Sequence, residues 1–462
     1  MARRYCKRAV RAGLLGCGLL AVLGTFARAG DLSETWRLAD SSDPTWQAAI
    51  HEQRAAAEQR PQAWAPFLPQ VSANAGYTYT RQNILSTDNR VFARGRSNYP
   101  SADYAVTLEQ SIWNYSNWAT LRKARATVAA SEATLEAARQ DMLLRAAERY
   151  FFTVAALETL ISIQAEKRAV ERLRDVNRTR QRDGTIRGTE VLDAEARYLQ
   201  VAAREIEAAA NLRDGLQGLR EVTGREFDQL RPLSSVLGSR GPQTRDPAEW
   251  VKRALENNPR VAALRLGLAA ATAEVTRQEA EYLPRLGAVL QQDRRRSDGS
   301  LFGGGSDVQN RWAMVRLTVP LYNGGMTYSR VREARELLAK TNNEELAEER
   351  AVERRARNSL NGVQTALSRV RALTASVQAK QRIVESWQVA YRGGAAASLA
   401  VLEAERDLFF TRAELVRARH QYVMDTLRLK HAVGGLATSD LENFNSLLDP
   451  TEVAVGPYVE VH

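Results

Sequence analysis

Histidine, cysteine and clustered carboxylates are the usual raw material of hydrolytic, redox and metal chemistry. Here they are few and badly spaced for it. The histidines His51, His420, His431 and His462 are scattered, and His420 and His431 lie eleven residues apart. That spacing matches no metal-ligand motif, and neither a nucleophile elbow nor a phosphate-binding glycine loop occurs. Both cysteines, Cys6 and Cys17, fall inside an N-terminal segment with the marks of an export signal. Once that segment is removed, disulfides and thiolate metal sites are excluded. Glutamate and aspartate are plentiful, but on long helices they usually mark a solvated face. No enzyme, cofactor or metal site is expected.

The signal is expected to span 1–29. Arg3, Arg4, Lys7, Arg8 and Arg11 precede an apolar run, Gly13–Phe26, and Ala27-Arg28-Ala29 supplies a small-x-small cleavage pattern. A lipoprotein signal is the alternative, because Leu14-Leu15-Gly16 precedes Cys17. Against it, the apolar stretch before Cys17 is very short and a good cleavage site follows later. Of the formal charge of +11, six basic residues and no acids lie in 1–29, which leaves about +5 on the rest. Spread over so long a chain, that is no footprint for nucleic acid. Beyond the signal no segment approaches the roughly 18 apolar residues of a membrane-spanning helix. Any crossing must be made by strands.

Proline and glycine mark out the elements that would position functional side chains. Proline is absent from Ser101 to Arg231 and from Leu321 to Asp449, and glycine from Asn114 to Asp183. From Met326 to Arg392 the only glycine is Gly362. Runs of this kind, rich in Ala, Arg, Glu and Leu, predict two very long helices. A helix of about 70 residues extends roughly 105 Å, so these must form an elongated coiled body. The descending partner of the second carries Val401, Ala404, Leu408, Leu415, Ala418, Tyr422, Leu429 and Val433 on one stripe, completed by Thr411 and Thr426. Steps of three and four are coiled-coil packing.

The chain also repeats itself. Asp43-Pro44 and Asn258-Pro259 are 215 residues apart, as are Phe67-Leu68-Pro69 and Tyr282-Leu283-Pro284. Further on the offset is about 210: Gly184 matches Gly394, Val191-Leu192-Asp193-Ala194-Glu195 matches Val401-Leu402-Glu403-Ala404-Glu405, and Gly224 matches Gly434. Punctuation kept in step this long implies a duplicated architecture. The expected division is 30–235 and 236–448 as two repeats, with 449–462 as a tail.

Each half reads helix, strand, loop, strand, long helix, turn, helix. Val71, Ala73, Ala75, Tyr77 and Tyr79 alternate with polar residues, and after a polar loop from Gln82 to Tyr99 the pattern resumes at Tyr104, Val106 and Leu108. In the second half Leu286, Ala288 and Leu290 precede a glycine-rich loop, Asp298 to Ser306, and then Ala313, Val315, Leu317 and Val319. Each strand is expected to be about ten residues, the length of a tilted transmembrane strand. Four strands cannot close a barrel, and unpaired backbone in hydrocarbon costs several kcal/mol per group. Copies must therefore assemble, and a duct with a lumen favours three or more.

Asn257-Asn258-Pro259, Tyr282-Leu283-Pro284 and Val319-Pro320-Leu321-Tyr322-Asn323-Gly324-Gly325-Met326, in this doubled order, resemble the TolC-type outer-membrane efflux proteins. Gly394 followed by Val401-Leu402-Glu403-Ala404, then Ala418-Arg419-His420-Gln421-Tyr422, is similar to that family's second tip and returning helix. The resemblance runs to about Leu448. It implies a mixed, mainly α homotrimer. A twelve-stranded β-barrel, four strands per chain, would sit in outer-membrane lipid and continue into a periplasmic α-helical barrel. The implied partners are a periplasmic adaptor and an inner-membrane ABC or proton-driven transporter.

The resemblance also implies a periplasmic gate where the helix pairs turn, Gly184–Asp193 and Gly394–Glu403. Glu190 and Tyr391 occupy positions that bond to each other in the family. An arginine that adds a second bond is replaced by Ala396, with Arg392 or Arg187 as possible substitutes. The family's two inward aspartate rings are reduced here to one, with Ala400 at the first position and Glu403 at the second. A pore favouring cations less than two-ring relatives, and a gate easier to open, are the expectations. Gly184, Thr185, Gly393 and Gly394 form the tip turns, where the adaptor docks in the family, although a helix-capping role is the commoner reason for glycine at such turns. A periplasmic adaptor or structural coiled coil is the alternative function. The segment Pro320–Met326 leans towards protein secretion over small-molecule efflux.

Overall fold

The computed structural model describes residues 30–86, 95–234, 241, 244–299 and 304–459. The signal, His462 and the tips of both loops between strands lie outside the described residues.

The sequence's proline pairs begin helices. Asp43 and Asn258 cap helices whose first residues are Pro44 and Pro259, each side-chain oxygen accepting a backbone N–H two residues on, at 2.8 and 3.0 Å. Proline costs nothing at that first position, since its missing N–H would have had no partner. The first half runs α1 (Leu32–Ser42), α2 (Pro44–Ala57), α3 (Gln59–Trp64), β1 (Gln70–Ile84), β2 (Gly95–Trp113), α4 (Tyr115–Arg182) and α5 (Gly188–Thr223). A short β3 (Gln229–Leu230) follows, then α6 (Pro247–Asn257), α7 (Pro259–Glu279), β4 (Arg285–Ser297), β5 (Ser306–Thr318), α8 (Met326–Arg392) and α9 (Ser398–Ala432). The chain ends in α10 (Thr438–Asn445), β6 (Val453–Ala454) and α11 (Gly456–Val459).

The two glycine-poor runs are single helices, α4 of 68 residues and α8 of 67. No helix among the described residues is long and apolar enough to cross a membrane. Near the turns α5 packs on α4, α9 on α4 and α8 on α9, while towards the sheet α7 lies against both α4 and α8. On α9 the expected stripe is the packed face, with Val401, Leu408, Leu415, Ala418, Tyr422 and Leu429 all buried.

The four strands form one sheet in the order β1-β2-β4-β5, antiparallel throughout. Register brings the apolar faces together: Val71 lies opposite Leu108, Leu108 opposite Leu290, and Leu290 opposite Ala313. Many of these side chains face outward, Val71 at 67% and Val315 at 68% exposure. The strands are longer than the ten residues expected, at 15, 19, 13 and 13. Part of the expected polar loop is strand, with Ile84 paired to Gly95 and Thr80 to Tyr99. A backbone ladder needs no apolar side chains, so polarity alone does not end a strand.

A second layer covers one face of α4 and α5, and sequence periodicity did not announce it. There α1 packs across both helices, α10 packs on α1, and β3 pairs with β6 from the tail. Tyr150 is fully buried beneath it and donates to the Arg231 carbonyl at 3.0 Å, while Glu158 accepts from the Leu233 N–H at 2.8 Å.

Candidate functional site

Both long helices end in the same backbone device. At the first tip the Gly184 N–H bonds the Gln181 carbonyl (3.0 Å) and the Thr185 N–H the Arg180 carbonyl (2.9 Å). At the second, Gly394 bonds Tyr391 (3.1 Å) and Ala395 bonds Ala390 (2.9 Å). This is a Schellman closure, which requires a left-handed residue just past the cap. Gly184 and Gly394 supply it, with φ of +72° and +75°. A Cβ at either would meet open space, so backbone conformation alone demands glycine there. Gly393 is different. Its φ of −79° and ψ of 0° equal those of Asp183 in the first tip, so any residue fits.

The tips are tied together through a buried amide. The Tyr391 hydroxyl donates to Asn177 Oδ1 at 2.8 Å. Asn177, fully buried on α4, donates from Nδ2 to Ser398 Oγ (3.1 Å) and to the Glu190 carbonyl (3.2 Å). Ser398 Oγ in turn donates to Glu190 Oε2 at 2.8 Å, and its backbone N–H reaches the same oxygen at 3.4 Å. The Arg180 guanidinium lies 4.4 Å from the Tyr391 ring centroid, a cation–π contact. Burial raises the Tyr391 pKa; Arg180 opposes that shift and Glu190 adds to it.

The expected direct bond from Tyr391 to Glu190 is therefore replaced. Asn177 and Ser398 stand between the two, because the buried amide reaches the phenol first and the serine takes the carboxylate. The Nε of Arg392, a candidate substitute for the missing arginine, donates back to the Gln388 carbonyl of its own helix at 3.2 Å. The cation against the Tyr391 ring is Arg180. Glu403 is exposed on α9, and Thr185 is exposed at the first tip, its Oγ donating to the Arg180 carbonyl (2.9 Å). Reading the sequence missed Asn177 and Ser398. The signal for Asn177 was present: it sits seven residues past Val170, on the buried stripe of α4, where a coiled coil expects an apolar residue.

Comparison with known proteins gives a consistent picture. A family model for outer membrane efflux proteins matches residues 36–225 and 250–435. The outer membrane protein TolC of Vibrio cholerae is 25% identical over 438 residues, covering 94% of this chain and 98% of that protein. The alkaline protease secretion protein AprF of Pseudomonas aeruginosa is 27% identical, covering 93% of this chain and 89% of that protein. The crystal structure of the Campylobacter jejuni CmeC outer membrane channel superposes with a TM-score of 0.74 at 19% identity, covering 91% and 90% of the two chains. That last likeness speaks to fold.

Proposed function

The chain belongs to the outer membrane efflux protein family, and from that premise we infer how its single copy becomes a duct. It is an outer-membrane exit duct serving type I secretion or efflux. Three copies would complete it, closing a twelve-stranded barrel in the membrane and a helical barrel in the periplasm.

The observation that carries this reading is the open sheet. Among the described residues β1 and β5 each have a neighbour on one side only. An edge of bare N–H and C=O groups is costly in lipid and favours pairing with another copy. The exposed apolar face of the same sheet fits a lipid-facing band. The helices repeat the logic, since α5 and α8 bound the helical layer as β1 and β5 bound the sheet. A duplicated domain plan, 30–235 and 236–448, is part of the same reading and rests on the spaced sequence motifs.

The tips then act as the periplasmic gate. The links through Asn177 and Ser398 hold the two hairpins of one protomer together, and Glu403 faces the narrow end. Passage is passive: an inner-membrane pump, ABC or proton-driven, would feed the duct through a periplasmic adaptor seated beside the Gly184–Thr185 and Gly393–Gly394 turns. Similarity to a protease secretion protein favours polypeptide cargo.

Membrane fractionation with gel mobility before and after heating tests the assembly. The expected result is an outer-membrane species of three chains that collapses to one on boiling. A detergent-free, water-soluble single copy overturns it, and would favour the adaptor-like alternative.

A further inference from the structure

The helical layer has one covered face and one bare face. On α4, Tyr150 and Glu158 point to the layer built from α1, β3 and β6. Phe152, half exposed, lies on the opposite side, and Glu166 follows it at fourteen residues, four helical turns on the same face. A second layer inside a duct would plug it, so the bare face is the inner wall. On α9, Glu403, Arg406, Asp407 and Phe410 share one stripe by their spacing of three and four, so they line that wall with the residue at the constriction.

On this face α5 and α9 approach each other over α4 and flank an open groove of about 630 Å³. Arg197, Ala203 and Arg204 line one side and Arg406, Asp407 and Phe410 the other. Behind the two arginines of α5 lies Glu166, only 2% exposed, whose Oε1 accepts from both Arg197 and Arg204, the latter at 2.7 Å. Arg406 is held by Asp407 at 3.1 Å. Three guanidiniums thus face two carboxylates, one of them buried, so positive charge is left over. Burial disfavours the Arg197 charge, Glu166 restores part of it, and Arg204 and Arg406 oppose it. The Arg197 Nε is also buried without a partner. Phe410 stands 59% exposed at the rim.

Resting on the duct reading, we propose that this niche is a binding station on the tunnel wall for a carboxylate carried on an apolar body. The carboxylate takes the outward edges of Arg204 and Arg406, and the apolar body lies on Phe410 and Ala203. An arginine fork suits a carboxylate's two oxygens, and an adjacent ring adds apolar contact. The station lies one helical turn from Glu403, so the constriction presents opposite charges in succession. Arg197, Arg204 and Arg406 outnumber Glu166 and Asp407 by one charge, which offsets the attraction of Glu403 for cations. Cargo with acidic groups beside aromatic ones is the class this wall would retain longest. Such groups could come from a free aromatic acid or from an acidic peptide segment.

Single-channel recording in planar bilayers tests this, with probes added at the barrel mouth. The probes are 1-naphthoate, the peptide Ac-Glu-Phe-Glu-Phe-Glu-amide, and their sign-reversed counterparts naphthylmethylammonium and Ac-Lys-Phe-Lys-Phe-Lys-amide. Block by the acidic probes at about tenfold lower concentration than the basic ones is expected, and about a tenfold loss of that block in the Arg204→Gln/Arg406→Gln double variant. Arg197 is left in place so that Glu166 keeps a partner. Block by the peptide alone assigns the station to polypeptide, and block by both acids to carboxylates in general; either supports it. Equal block by both signs, or block unchanged in the double variant, overturns it. With either of those results in a variant that still conducts as a trimer, the duct stands while the station falls. Absence of any channel from the wild-type chain overturns the duct instead.

Discussion

The two helical tips share a backbone and differ in almost every side chain that matters. Arg180, Asp183, Gly184 and Thr185 follow the same hydrogen-bonded path as Ala390, Gly393, Gly394 and Ala395. Yet the first hairpin brings Asn177, Arg180 and Glu190 to the contact between tips, and the second brings Tyr391 and Ser398. The same contrast recurs a few turns away. Arg178 pairs with Glu195 at 2.7 Å, whereas at the positions 210 residues later Gln388 meets Glu405 at 2.8 Å. Glu405 is buried, its Oε2 has no partner, and burial raises its pKa. Turn geometry is a local property that each hairpin satisfies alone. Contact between hairpins needs complementary groups, and here each tip brings a different set.

The sharpest way to break that contrast is to remove the shared amide. Asn177→Ala strips three hydrogen bonds and leaves buried partners unpaired, at a cost of about 2 kcal/mol to the closed state. Under the gate proposed above, that is roughly a thirtyfold shift towards opening, read as a rise in open probability in bilayers and in uptake of large antibiotics by cells.

Glycine comes next. Gly394→Ala forces a Cβ into the left-handed region and is expected to cost roughly 1–2 kcal/mol. Gly393→Ala or Gly393→Asp should be neutral within about 0.5 kcal/mol, because Asp183 already adopts that conformation. Thermal unfolding of the detergent-solubilised protein separates the two, and equal effects would contradict the backbone argument.

Tyr391→Phe deletes one bond and keeps the ring against Arg180. An effect of about 1 kcal/mol, near fivefold in open probability, is expected. Unchanged conductance would mean that the phenol does not help to hold the tips.

The smallest effect tests the Glu195 and Glu405 pairing. A carboxyl whose pKa is raised on folding favours the folded state while protonated, and that contribution is lost as pH rises through the raised value. Gln388→Arg should restore the cation that Arg178 provides in the first hairpin, stabilising by roughly 0.5 kcal/mol near pH 7 after solvent screening. The gain should shrink as pH falls and Glu405 takes up its proton. A gain independent of pH would assign the effect to something other than the Glu405 charge.

How much of this was readable beforehand follows from the range of each interaction. The long helices, the glycine turns and the α9 stripe depend on residues within a turn or two of each other. Missing proline, the punctuating glycines and three-four spacing therefore announced them. Strand alternation was legible too, but strand ends were not, because Gln82–Ile84 and Gly95–Tyr99 extend the ladder by backbone bonds that no side-chain pattern records. The second layer was missed because Leu32, Leu230 and Leu233 sit on short elements with too few residues to show a period.

What the sequence by itself determined is the set of parts: two helices of about a hundred ångströms, the turns that end them, and four amphipathic strands too few to enclose a pore. Tertiary structure alone decided who meets whom. It set β2 beside β4 across some 180 residues of chain, gave the Tyr391 hydroxyl to Asn177 instead of Glu190, and gathered Arg197, Arg204 and Arg406 on the bare wall. Local conformation follows from the energies of neighbours along the chain. A hydrogen bond between residues more than two hundred positions apart exists only once packing has fixed the distance and angle between their helices.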